Sequence, residues 1–328
     1  MKNAYVGQQA TDLFNTALLA KRRFDVKPTF KDEVFRLIAQ RLCTRLDLLK
    51  VPFHNALDLS PYQTPGLASF LKTQRPQLTI QRFYDESLAA AQQAERCEMA
   101  LSDTPFFGEK AFDLILSPLD LHWSNQPAAY LRAIHHALKP GGLFIASFWG
   151  GNTLIELRHV LGELDFAHSG HITQRVIPMM RLQDAAHLLY QLPFHLPVAD
   201  HDTLTFCYQS VKSLCKHLKE TGEGKALTHA HHLLGPKDFW QKAETHYRRT
   251  YVNVRSLKKT ANPCGLQDLP ATFCLITLAG WRDGPGIPRA LNRGSATHHL
   301  GKALNNLSFA NGTPSSLCAQ QSLDTLIA

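Results

Sequence analysis

The sequence predicts an α/β fold built on a doubly wound, mostly parallel sheet. Three observations lead to this prediction. Short apolar runs alternate with segments of helical period over residues 32–148, and Pro and Gly separate the two kinds of segment. With 44% apolar and 19% charged residues, a chain of 328 residues can also bury a sizeable core. Strands that alternate with helices at this spacing are joined by crossovers, which favours parallel pairing.

The first 150 residues supply most elements of this sheet. We interpret the amino-terminal segment as a first helix. Residues 32–49 form a second, because apolar side chains recur there at three- and four-residue steps. Helices are also predicted at 86–96 and 126–138, the latter ending where Pro140 and Gly141 forbid continuation. The predicted strands are 56–59, 78–83, 97–101, 112–117 and 143–148.

The remaining residues predict a helical elaboration around two further strands. Helices are expected at 153–163, 181–191, 210–220 and 236–248, and strands at 203–208 and 272–278. We expect one domain over residues 1–310, with N-terminal helices at 10–49 and helical elaborations at about 151–194 and 209–265. The polar tail at 311–328 is expected to be loose.

Charge and hydropathy narrow the classes of partner. Lys and Arg exceed Asp and Glu by 35 − 27 = +8, which favours anionic partners in general. The basic residues form short, scattered groups, so nucleic-acid binding is not predicted. No apolar stretch approaches the ~18 residues that span a bilayer, so no membrane span is predicted. The amino terminus also lacks the uninterrupted apolar segment of a secretory signal.

Cysteine and histidine usage favours a cytoplasmic protein without a metal centre. The seven cysteines include no C-x-x-C pair, and an odd number is typical of a reducing compartment. His229, His231 and His232 have no second cluster at ligand spacing, so no metal site is predicted. The sequence also has no Walker loop and no G-x-S-x-G motif.

Three motifs occur in the order and spacing of a known enzyme family. Phe-Asp-Leu-Ile-Leu-Ser at 112–117 is followed by Leu-His-Trp-Ser-Asn at 121–125 and Leu-Lys-Pro-Gly-Gly at 138–142. They resemble the fourth strand, the following loop and the fifth strand of class I S-adenosylmethionine (SAM) methyltransferases. More narrowly, they resemble the branch that holds the malonyl-carrier-protein O-methyltransferase of biotin synthesis and the assembly factor of respiratory complex I. Further stretches that resemble this branch are 14–19, Arg22-Arg23, 153–158, 218–226, 271–281 and 293–296, so that the resemblance covers about residues 10–305.

The resemblance implies a seven-stranded Rossmann-like sheet with SAM across the carboxyl ends of strands one, two and four. In open α/β sheets the ligand crevice does lie beyond those ends. The implied activity is methyl transfer from SAM to a carboxylate or a protein acceptor, including one borne by an acyl carrier. The alternative is a non-catalytic assembly or interaction factor, for example for complex I. Hydroxylation of a protein arginine is a third activity known in that branch.

The loop after strand one departs from the family pattern. The family has D-x-G-x-G-x-G there, whereas this chain has Asp58-Leu-Ser60-Pro-Tyr62-Gln-Thr-Pro-Gly66. Glycine lets the backbone pass close under the cofactor, while proline fixes φ and removes a donor. Asp58, Ser60, Tyr62 and Gly66 are therefore either a remodelled SAM loop or a connection that has lost cofactor binding.

The resemblance assigns three more residues to the cofactor. Asp85, after strand two, matches the carboxylate that holds the ribose hydroxyls, and an N-cap is the alternative. Asp103 substitutes for the acidic residue at the adenine if its loop shifts by one residue. Otherwise it is a surface carboxylate. Ser117 is expected beside the methionine end of SAM.

Two residues are candidates for catalysis. His122 is expected to face the methyl group or the substrate, where it would orient a nucleophile or act as a base. The alternative is a His-Trp pair that fills space under a loop. Arg158 could clamp an anionic substrate through a bidentate pair, or it is an exposed helix residue. Methyl transfer to an ionised carboxylate needs alignment more than a base, so neither residue is required for that reaction.

Overall fold

The fold is described from a computed structural model of the chain. The structure describes residues 12–24, 33–49, 51–60, 66–83, 105–228, 237–252 and 268–287, together with Gly294. In these residues the strands are β1 (Asn55–Asp58), β2 (Thr79–Arg82), β3 (Phe112–Pro118), β4 (Leu138–Gly150), β5 (Phe194–Tyr208) and β6 (Leu269–Arg282). The helices are α1 (Thr16–Phe24), α2 (Glu33–Asp47), α3 (Gly66–Gln74), α4 (Pro127–Ala137), α5 (Ile155–Ser169), α6 (Leu182–Tyr190), α7 (Val211–Glu220) and α8 (Phe239–Tyr247).

The strands form one mixed sheet in the order β2-β1-β3-β4-β6-β5. β1 pairs in parallel with β2 and β3, β3 pairs in parallel with β4, and β6 is antiparallel to both of its neighbours. This confirms the mostly parallel α/β sheet. Six strands lie in the described residues against seven expected from the resemblance, and the strand predicted at 97–101 falls outside them, as does the helix predicted at 86–96.

Helices cover both faces of the sheet, as a doubly wound fold requires. Along β3, Leu114 and Leu116 join one apolar cluster and Ile115 joins the other, because successive side chains of a strand point to opposite faces. The first cluster includes buried residues of α2, α3, α5, α7 and α8, and the second includes buried residues of α1, α4 and α6. Burial on both faces explains why β3 and β4 read as continuous apolar runs.

Three strands, β4, β5 and β6, are several residues longer than the sequence predicts. β4 begins at Leu138, which pairs with Phe112 of β3, and its next paired residue is Leu143, opposite Leu114. The register shift between these two pairs accommodates the additional residues of β4. Gly141 adopts φ +80° within that irregular stretch, which glycine tolerates without a Cβ clash. β5 begins nine residues before the predicted 203–208, because it is an edge strand whose side chains are largely half-buried or exposed and show no apolar run.

The chain divides into two compact units, Met1–Ile287 and Pro288–Ala328, and Gly294 is the described residue of the second. The predicted domain boundary at residue 310 stays a prediction. Within the described ranges, no helix combines the length and the apolar character needed to cross a membrane.

Candidate functional site

Of the residues singled out by sequence, most of those that the structure describes lie around one edge of the sheet. β1 ends at Asp58 and β3 at Pro118, and these parallel strands pair with Asp58 opposite Leu116. β4 continues in parallel beside β3, with Ala146 opposite Ser117. Because the carboxyl ends of parallel strands meet at the same edge, the loops that follow β1 and β3 are neighbours there.

Asp58 is a buried carboxylate whose partners are incomplete. One of its oxygens, Oδ1, accepts hydrogen bonds from the backbone N–H of Ser60, at 2.9 Å, and from the Ser60 hydroxyl. The other, Oδ2, is buried without a hydrogen-bond partner in the described structure, and Arg82 Nε lies 3.8 Å from it. Burial raises the pKa of Asp58, against the opposing effects of Ser60 and Arg82. Such an oxygen can accept a hydrogen bond from a donor group of a ligand.

Ser117 is the end of a buried polar network. Its hydroxyl lies 2.8 Å from the Tyr130 hydroxyl, and Tyr130 donates to Asp120 Oδ2 at 2.7 Å. Arg23 of α1 reaches Asp120 Oδ1 at 2.5 Å and donates to the carbonyl of Leu119 at 3.1 Å. Burial raises the pKa of Tyr130 well above its usual value, so this side chain stays a donor. The network fixes the turn that follows β3.

His122 lies in a 3₁₀ turn, Leu121–Trp123, directly after β3. Glu223 Oε2 lies 2.9 Å from His122 Nε2 and accepts a hydrogen bond from Trp123 Nε1 at 3.1 Å. The side chains of His122 and Glu223 are 1% and 7% exposed. His122 Nδ1 is buried without a hydrogen-bond partner in the described structure. The His-Trp pair therefore packs as space-filling residues do and also presents one unused imidazole nitrogen.

A cavity of about 350 Å³ adjoins Glu223. Its walls are mostly apolar side chains from the end of β4, from α5, from α7 and from the segment before α6. Glu223, Lys225 and Arg175 are the charged residues among its lining. Arg175 is held by Asp165 at 2.7–3.0 Å and stacks over the Phe239 ring. A mostly apolar cavity with a few polar groups is typical of a site for a small molecule or an extended side chain.

Arg158 does not extend this site. It is an exposed residue of α5, and its Nη2 donates to the carbonyl of Ile177 at 3.2 Å. Glu156, two residues earlier, is the buried charged residue of the 153–158 stretch and accepts hydrogen bonds from the backbone and hydroxyl of Thr272 at 3.0 and 2.5 Å. This geometry corresponds to the exposed-helix alternative for Arg158.

The other predicted positions divide into two groups. Gly66 opens α3, directly after the substituted loop. Tyr62, Asp85 and Asp103 lie outside the described residues, as do His229, His231 and His232. Sequence reasoning assigned no role to four residues of the site. These residues are Arg23, Asp120, Tyr130 and Glu223. All four lie within or close to stretches that resemble the family, at Arg22-Arg23, 121–125 and 218–226, and this resemblance is the sequence signal that could have identified them.

Comparisons with known proteins give one family match and several relatives. The family described as "Methyltransferase domain" matches residues 68–146. Human arginine-hydroxylase NDUFAF5, mitochondrial, is 30% identical over 291 residues, which cover 86% of this chain and 79% of that protein. Malonyl-[acyl-carrier protein] O-methyltransferase 1 of Coxiella burnetii is 32% identical over 213 residues, covering 65% of this chain and 72% of that protein.

Coverage of the four other NDUFAF5 proteins is lower. The chain spans between 44% and 61% of the NDUFAF5 proteins of Mus musculus, Dictyostelium discoideum, Rattus norvegicus and Danio rerio. Among solved structures, the YcgJ protein of Bacillus subtilis is 14% identical with a TM-score of 0.40, covering 74% of this chain and 98% of that one.

Proposed function

Because the chain belongs to the class I SAM methyltransferases, in the branch of NDUFAF5 and malonyl-carrier-protein O-methyltransferase, we propose that it transfers a methyl group from SAM. The cofactor would lie across the carboxyl ends of β1 and β3. When bound, SAM supplies an electrophilic methyl group on a sulfonium. The chain's own residues would bind and orient the two reactants and keep water from the reacting atoms.

Asp58 Oδ2 is the observation that carries the proposal. A buried carboxylate oxygen without a hydrogen bond is rare, because a buried acceptor normally finds a donor, and Arg82 Nε at 3.8 Å is too far to be one. The α-ammonium group of the methionine moiety of SAM is a hydrogen-bond donor of opposite charge, so Asp58 fits the cofactor. Ser117 would border the methionine end through a hydroxyl already oriented by Tyr130. Asp85 and Asp103 remain our proposals for the ribose and the adenine.

The cavity beside Glu223 is our proposal for the methyl acceptor. Its apolar walls suit an extended chain, and Lys225 and Arg175 would attract an anionic one. Burial and the nearby Arg175 lower the pKa of Lys225, which an incoming anion would offset. The relatives are named for an arginine and for a malonyl group on a carrier protein, so a protein side chain and a carrier-borne carboxylate are the two acceptor types to test first.

Binding of SAM and of S-adenosylhomocysteine, measured by calorimetry and thermal shift, tests the proposal. A ligand at 100 times its Kd stabilises the fold by about 2.7 kcal/mol, which raises Tm by several degrees. Asp58→Asn should weaken SAM binding about 10- to 150-fold, the equivalent of one charge-assisted hydrogen bond. Asp47→Asn is the matched control, because that carboxylate is half exposed and pairs only loosely with Arg75.

A non-catalytic assembly or interaction factor is the second candidate, and the sequence of the loop after β1 favours it. Residues 60–65 contain two prolines and no glycine. The absence of a thermal shift at millimolar SAM would support this alternative over the enzyme. Restoring glycine at Ser60, Tyr62 and Thr64 would then recover binding if the loop alone is at fault. A cytoplasmic location stays a proposal from composition, and the NDUFAF5 relatives are named mitochondrial.

A further inference from the structure

Glu223 connects the turn after β3 to the apolar cavity. Its side chain lines the cavity and is only 7% exposed, and its Oε2 contacts the ring nitrogens of His122 and Trp123. One buried carboxylate therefore contacts both rings. No other described carboxylate pairs with His122.

The hydrogen bonds of Glu223 define which imidazole nitrogen carries the proton. An ionised carboxylate only accepts, and the indole N–H of Trp123 only donates. His122 Nε2 therefore donates to Glu223, and in the neutral ring Nδ1 carries the lone pair. That nitrogen is buried and has no hydrogen-bond partner within the described residues. A fixed, unused base of this kind lies directly after the strand end at which we propose SAM binds.

We propose that Glu223 is a positioning residue that holds His122 with Nδ1 as the base for a methyl acceptor bearing a neutral O–H or N–H group. This inference rests on the proposed function. In the step, the acceptor oxygen or nitrogen forms a bond to the methyl carbon and the carbon–sulfur bond of SAM breaks, releasing S-adenosylhomocysteine. The proton of the acceptor passes to His122 Nδ1, and the imidazolium is stabilised by the Glu223 carboxylate.

The chemistry of the acceptor distinguishes this proposal from methyl transfer to a carboxylate. A carboxylate is already ionised and gains nothing from a base, whereas a hydroxyl or amide must lose its proton. A buried base that is oriented by a buried carboxylate is therefore useful only for an acceptor that must lose a proton. The apolar walls of the cavity that Glu223 lines suit an acceptor with a hydrocarbon or aromatic body.

Nitrogen NMR of histidine-labelled full chain tests the positioning without requiring activity. The His122 ring, assigned by its loss in His122→Asn, should show a protonated Nε2 and an unprotonated Nδ1. Glu223→Gln should keep that pattern because its carbonyl can still accept, and Glu223→Ala should lose the long-lived Nε2 proton. Glu220→Ala is the matched control, an exposed glutamate at the end of α7. A proton on Nδ1 in the wild type would overturn the proposal.

Methyl transfer from labelled SAM to two probes, 4-propylphenol and 4-propylbenzoate, tests the chemistry. The probes share a body, but only the phenol must lose a proton. His122→Asn should lower the phenol-to-benzoate rate ratio by about 10² or more, the usual contribution of a general base. Glu223→Ala should lower it about tenfold and Glu223→Gln less, so the conservative variant still reports if the alanine variant fails to fold.

The outcomes separate this inference from the proposed function. If wild-type protein binds no SAM, the proposed function fails, and the NMR experiment still decides the role of Glu223. If SAM binds but the ratio is unchanged in His122→Asn and Glu223→Ala, the base is refuted while SAM binding stands. Wild-type transfer to the benzoate alone, or to neither probe with SAM bound, would also overturn the inference.

Discussion

Removing the charge of Arg23 should destabilise the protein far more than removing that of an exposed arginine. Arg23 and Asp120 have side chains 4% and 0% exposed, with Nη1 and Oδ1 2.5 Å apart. Arg23→Met keeps an unbranched apolar side chain but leaves the Asp120 carboxylate buried, with the Tyr130 hydroxyl still donating to Oδ2. Breaking one side of a buried pair exposes the full desolvation penalty of the other.

The expected magnitude follows from that burial. Loss of one partner of a buried ion pair costs about 3–5 kcal/mol, against 0.2–1 kcal/mol, roughly, for an exposed pair. For a unit of this size each kcal/mol lowers Tm by about 2 °C, so Arg23→Met should lower Tm by roughly 6–10 °C. Arg41→Met is the matched control. Arg41 pairs with Asp202, and both side chains are more than a third exposed.

Urea denaturation and differential scanning calorimetry of the two variants measure the difference. The double variant Arg23→Met with Asp120→Asn removes the uncompensated charge, so it should recover part of the stability lost in Arg23→Met alone. If Arg23→Met lies within about 1 kcal/mol of the wild type, as expected for Arg41→Met, the pair contributes no more than a surface pair and the reasoning is wrong.

Three further predictions concern other buried groups. Burial raises the pKa of Asp58, so the stability that the protonated carboxyl contributes at low pH is lost as pH rises through the folded pKa. Asp58→Asn should therefore stabilise the ligand-free protein at pH 7 by about 0.5–2 kcal/mol while weakening SAM binding. Lower stability of that variant in urea would contradict this. Gly150→Ala should destabilise the protein by about 1–3 kcal/mol, because the new Cβ would lie 2.3 Å from Ile276 Cδ1. Gly162→Ala is the control for the Tm comparison, because its new Cβ would lie 3.6 Å from Ile172 Cγ2, an ordinary van der Waals contact. Burial raises the pKa of Cys43 to about 11, so mass spectrometry should find it unalkylated by iodoacetamide at pH 8 until the chain is unfolded.

The parts of the fold that the sequence predicts well are those governed by local pattern. α2 spans Glu33–Asp47 because Val34, Ile38 and Leu42 recur on one buried face. α4 ends at Ala137, just before Pro140. The sequence predicts only the last part of β5, because an edge strand buries few side chains and its pairing with β6 is made by backbone groups. Its extent is a tertiary property that hydropathy does not record.

The contacts of the candidate site are harder to predict from the sequence, because they join residues that are far apart along the chain. His122 and Glu223 are 101 residues apart, and Arg23 and Asp120 are 97 apart. Neither glutamate nor arginine at those positions has a local pattern that distinguishes it from a surface residue. The stretch at 218–226 was noted for its resemblance, but only the structure shows that Glu223 is turned inward.

Two buried acceptors without a hydrogen bond in the described residues, Asp58 Oδ2 and His122 Nδ1, lie at or just after the ends of two parallel strands that finish at the same edge of the sheet. In contrast, the side-chain oxygens of Ser117, Tyr130 and Asp120 are all hydrogen-bonded within the protein. A fold that needed this edge only as a scaffold could replace both acceptors with apolar residues and gain stability. Their presence beside oxygens that are already hydrogen-bonded is the arrangement expected of a binding site, in which ligand groups complete the hydrogen bonds that the protein leaves open.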